Sequence, residues 1–156
     1  MSKAGLKAGL IGGAIVAVLQ LLGLIPCVGC FTWILAWITY AGAGVLAAYW
    51  LPTPRSAGDG AGAGAIAGVV TGIVDGIFGT IADGIQFAIS GGSAAILSQL
   101  PQEYLDTLTE AGLDPAMFTS LGAVLGISTF CCVVGMILAA VLGAIGGAIF
   151  ASVQSE

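Results

Sequence analysis

Two carboxylates, a hydroxyl and an amide are the side chains of this sequence best placed to do chemistry: Asp75, Asp83, Thr71 and Gln86. They fall within one apolar, glycine-rich stretch, residues 60–92. At about 100° per residue, all four share one half of a helix with Gly60, Gly64, Gly68, Gly72, Gly76 and Gly79. Val69, Ile73, Ile77, Ile81 and Ile85 occupy the opposite half, and Thr80 is the one polar residue there. An ionised Asp at the centre of a bilayer costs roughly 2.5–3.5 kcal/mol on insertion scales. Carboxylates that face the inside of a membrane bundle are therefore candidates for ion or proton handling. One reading is a proton or cation pathway, with Asp75 deep and Asp83 and Gln86 nearer a mouth. The other is a structural helix whose carboxylates lie near the interface and hydrogen-bond their neighbours. Depth in the bilayer decides between them.

The cysteines form a second candidate group. Cys27-x-x-Cys30 has a redox or metal spacing, and Cys131-Cys132 is a second pair. Four thiolates could hold zinc or an iron–sulfur cluster. Adjacent cysteines chelate poorly, however, and Cys131 lies roughly 24 Å along a helix from Pro115. A disulfide within the turn, or from the turn to the last helix, is the alternative. Small buried thiols are the commonest outcome.

Histidine is absent, and this excludes more than any motif includes. It removes Ser/His and Cys/His catalysis, and the commonest ligand for haem, pigment or metal. No enzyme activity and no cofactor are expected. Lys3, Lys7 and Arg55 are the only cations, far short of a nucleic-acid footprint.

These groups sit in a chain that must be solvated mostly by lipid. Of its 156 residues 58% are hydrophobic and 7% charged, against about 25% charged in a soluble domain. The pattern predicts an all-α, polytopic transmembrane bundle in a single domain, 1–156. Four spans are expected at about 8–25, 31–51, 62–89 and 117–150. Pro26 ends the first, which is read as a retained helix rather than a cleaved signal. Trp33, Trp37 and Tyr40 near the start of the second, and Tyr49 and Trp50 at its end, read as interfacial belts, with about half of them expected to be ordinary packing residues instead. Residues 52–58 read as a linker. A short amphipathic helix is expected at 101–111, either resting on the bundle or the membrane surface or standing as an ordinary solvated loop helix. Asp114-Pro115 reads as the cap and first residue of the last helix.

Glycine every fourth residue weakens a helix in water but admits a neighbouring backbone in a bilayer. Gly122/Gly126 and Gly143/Gly147 give the last helix two further pairs of this kind. Four spans bring Lys3, Lys7 and Arg55 to one side, which places both termini in the cytoplasm by the positive-inside rule.

The Cys-containing turn followed by Phe31-Thr32-Trp33, the Gly-Ala-Gly-Ala third helix, the Leu100-Pro101-Gln102-Glu103 segment and the Gly-rich last helix together carry a resemblance. The chain resembles a loose class of small, uncharacterised bacterial four-span membrane proteins. The resemblance implies a helical fold in the inner membrane and lends no function. The expectation is a non-catalytic accessory or structural subunit that packs through Gly-xxx-Gly faces. Its partners would be lipid and either further copies or other membrane subunits. A small channel or carrier using the Asp75/Asp83 face is the alternative, and a thiol redox or metal-binding protein the third.

Overall fold

The computed structural model describes residues 2–23, 25 and 29–154. Four of its helices are long and apolar enough to cross a membrane: α1 (Ser2–Gly23), α2 (Gly29–Tyr49), α3 (Ala57–Ile89) and α7 (Leu121–Val153). Between the last two lie α4 (Gly92–Gln99), α5 (Gln102–Glu110) and α6 (Pro115–Phe118). No strand occurs among the described residues. The turn containing Pro26 and Cys27 lies outside them.

The two longest helices differ from their expected limits for identifiable reasons. α3 starts inside the expected linker, because Ser56 and Asp59 form a capping box. The Asp59 N–H donates to Ser56 Oγ at 3.1 Å, and the Ser56 N–H donates to Asp59 Oδ2 at 3.4 Å. Asp114 does cap a helix with Pro115 at its first position, but that helix is the single turn α6. Ser120 then caps α7, its Oγ accepting from the Ala123 N–H at 3.2 Å. At 33 residues each, α3 and α7 run about 50 Å, well beyond a core about 30 Å thick. No residue of α5 is buried, so it does not rest its apolar face on the bundle.

α3 packs on all three other long helices, most extensively on α7. Backbone approach makes this contact. A Cβ at Gly64 would strike the Gly143 carbonyl, and one at Gly143 the Gly64 carbonyl. Gly60 meets Gly147 in the same way, and Gly68 meets Ala139. The pairing runs antiparallel. The glycine face expected to receive a partner is thus covered by this chain's own last helix. α2 joins at the same level, Gly44 lying on the Gly143 backbone. α1 runs parallel to α3, with Gly5, Gly9 and Gly13 against Ile66, Val70 and Val74.

Alanines fill what remains: Ala8, Ala43, Ala47, Ala63 and Ala67, with Leu51, form one buried cluster. Buried residues of α3 stop at Gly72, and those of α7 begin only at Ala139. The bundle is therefore tightly closed at the end that holds both termini and open at the other.

Gly122 and Gly126 depart from expectation. Both are exposed, and no neighbouring helix comes within 4 Å of a Cβ at either. Ser128 and Cys132 set the face of α7 that meets α3 here. Gly126, two residues from Ser128, points about 200° away from it.

Candidate functional site

Asp75 sits near the middle of α3, one turn beyond fully buried Thr71, where the closed packing ends. Two other helices supply its partners. Gln20 of α1 donates from Nε2 to Asp75 Oδ1 at 2.7 Å. Tyr40 of α2 donates its hydroxyl to Oδ2 at 2.5 Å. Each carboxylate oxygen therefore accepts one hydrogen bond and keeps further acceptor capacity. Tyr40 is 6% exposed and lies near the middle of α2. It is a core residue holding Asp75, and not the interfacial aromatic its place near Trp33 and Trp37 suggested.

Thr71 lies below this cluster and outside its chemistry. Its hydroxyl lies 2.8 Å from the Ala67 carbonyl and 3.2 Å from that of Gly9, locking α3 to α1. Asp83 lies two turns above Asp75, exposed, and accepts from Ser128 Oγ of α7 at 2.6 Å. Gln86 is exposed, with Nε2 3.5 Å from Ser90 Oγ. Of the four expected site residues, Asp75, Asp83 and Gln86 share one cavity, and Thr71 belongs to the seal beneath it.

That cavity has a volume of about 610 Å3. Asp75, Gln20 and Tyr40 lie at its inner end, Asp83 and Gln86 toward its mouth, and Trp33 and Trp37 on the α2 side. A smaller cavity of about 270 Å3, between α3 and α7, shares Gln20, Asp75 and Asp83 with it. Neither is lined by any residue of α3 before Gly72. On α7 the lining reaches Leu142, beside the Gly143 that meets Gly64; Asp75 is the deepest carboxylate of this vestibule.

No cation of the chain reaches it. Lys3 and Lys7 lie at the far end of α1. The Arg55 guanidinium donates to the Ala48 carbonyl at 3.2 Å and lies 5.9 Å from the Phe150 ring centroid.

No protein-family model, curated protein or solved structure matches the chain.

The glycines expected at this level behave differently from those below. Gly76 faces Cys132, whose sulfur would lie 3.2 Å from an added Cβ, and Gly79 faces the Gln20 amide. Cys132 Sγ donates weakly to the Gly76 carbonyl at 3.5 Å, and Thr80 Oγ1 lies 3.7 Å from the same sulfur. Cys132 is thus a packing residue, whereas Cys131 beside it is exposed. Among the described residues no three acidic or thiol groups converge on a metal position. The expected pairing of these thiols with Cys27 and Cys30 lies outside the described side chains. A consequence is measurable. Cys132→Leu is expected to lower resistance to unfolding in SDS more than Cys131→Leu does, because a larger side chain at 132 meets α3. Equal effects would contradict the packing of Cys132 on Gly76.

Gln20, Tyr40 and Ser128 are the site residues missed by sequence reasoning. Each carried a faint signal. Gln20 is the one strongly polar side chain of the first span, and Tyr40 and Ser128 stand well inside theirs.

Proposed function

We propose that this chain is a non-catalytic, multi-pass membrane protein that binds a cation or proton at Asp75, acting as a small carrier. The observation that carries the reading is the position of Asp75. It is held by two neutral donors at the inner end of a vestibule that contains no cationic side chain. Hydrogen bonds to a charged group contribute about 1.5–3 kcal/mol each, which helps offset removal from water. They supply the ionised form with no counter-charge. Attraction of an external cation follows from that imbalance, and Asp83 near the mouth adds to it.

The three cations gather at the closed end. By the positive-inside rule that end is cytoplasmic with both termini, and the vestibule opens to the opposite side of the inner membrane. Cation uptake into vesicles by wild type and by Asp75→Asn tests the reading.

Packing as an accessory subunit retains one support. Gly122 and Gly126 are uncovered on α7, whereas the stripes of α3 and of residues 139–147 are occupied within the chain. Gly126→Leu would break such an assembly without disturbing the bundle.

A further inference from the structure

We propose that the occupant of the vestibule is an organic monocation, an ammonium or phosphonium carrying an apolar body, rather than a bare metal ion. This rests on the Asp75 reading above and names its ligand class.

Size is the first ground. A volume of about 610 Å3 falls within the range of small-molecule pockets, roughly 300–1,000 Å3. A hard divalent ion such as calcium or magnesium needs a shell of about six to eight oxygens, and zinc about four ligands. Here two carboxylates are separated by two helical turns, each already engaged by a neighbour, and no third acidic or thiol group joins them among the described residues.

The walls are the second ground. Trp33 and Trp37 line the space with ring centroids 5.2 Å apart and planes inclined at 61°. They are 65% and 38% exposed, so much of their ring surface is uncovered by the chain. An indole face attracts a cation by its quadrupole, most strongly when water is excluded, and quaternary ammonium groups suit such sites. Leu19, Leu138 and Leu142 also border the cavity and offer apolar surface to the ligand's body. Charge is the third ground. Asp75 and Asp83 are the ionisable acids of the lining, with no Lys or Arg to oppose them. One positive charge with an apolar envelope satisfies all three features together.

The test uses the full-length protein in detergent with tetraphenylphosphonium as the probe. Its anionic counterpart of similar shape, tetraphenylborate, is the control. Saturable binding of the phosphonium is expected by equilibrium dialysis, with quenching of tryptophan fluorescence and no saturable binding of the borate. Trp33→Leu/Trp37→Leu is expected to weaken binding about tenfold, as loss of cation–π contact predicts. Trp33→Phe/Trp37→Phe, which keeps aromatic faces, should restore part of the loss. Equal binding of both ions, or phosphonium binding indifferent to the tryptophans, would overturn the proposal. If the phosphonium does not bind while inorganic cation or proton uptake still depends on Asp75, the ligand class is wrong and the Asp75 reading stands. If neither occurs, both fail.

Discussion

Asp75→Asn is expected to abolish cation uptake into reconstituted vesicles while leaving the bundle folded. Asparagine has the shape of aspartate. Its carbonyl oxygen can still accept from Gln20 Nε2, and its amide can donate to the Tyr40 oxygen once that hydroxyl turns. What disappears is the charge at the inner end of the vestibule. Removing one partner of a desolvated charge pair typically costs about 2–5 kcal/mol, a fall in affinity of roughly 30-fold or more. Tyr40→Phe makes a useful contrast. It keeps the charge and removes one donor, so binding should fall less while the fold loses a buried hydrogen bond, about 1–3 kcal/mol. Unchanged uptake by a folded Asp75→Asn protein would remove the functional reading.

Gly68→Leu is expected to have the largest effect on the fold. Even a Cβ at Gly68 would run into the Ala139 carbonyl, and Leu adds three further carbons. Overpacking a filled core costs about 1–3 kcal/mol when neighbours can shift. Here the obstacle is backbone, so α3 and α7 must separate, and the Gly64–Gly143 and Gly60–Gly147 approaches are lost with it. Titration with SDS, followed by circular dichroism or fluorescence, should show unfolding at markedly lower denaturant. Gly126→Leu, on a face that meets no other helix, is the control and should fall within about 0.5 kcal/mol of wild type. Equal tolerance of both substitutions would contradict the packing.

The contrast between those two glycines shows what could be read from sequence. Apolar runs broken by Pro52 and Gly91-Gly92 mark where chain crosses and turns, so the four long helices were legible. Spacing alone says that a small face exists, not which helix covers it. Gly64 and Gly126 belong to equally good patterns, yet one meets α7 and the other meets nothing. The Ser56–Asp59 capping box was present in the letters but masked by two prolines just before it. Asp114-Pro115 gave a true helix start that lasted one turn.

For the candidate site, the α3 residues that share a cavity were legible, and their partners on other helices were not. Periodicity put Asp75, Asp83 and Gln86 on the inward half of α3. It also put Thr71 there, although Thr71 seals the bundle instead of lining the cavity. Helical angle does not report depth along the axis, and depth separates these roles. Gln20 and Tyr40 reach Asp75 across 55 and 35 residues of chain. Only the fold brings them together.

A vestibule open on one side and sealed at Thr71 is tested most directly by cysteine accessibility. In a chain freed of its four native cysteines, single replacements Gln86→Cys, Asp83→Cys and Thr71→Cys are exposed to a membrane-impermeant maleimide in intact cells and in inverted vesicles. Cysteines at 86 and 83 should react from the outer side only, and the one at 71 from neither. Reaction at position 71 from either side, or silence at 83 and 86 from outside, would contradict the closed bundle and the outward vestibule that holds Asp75.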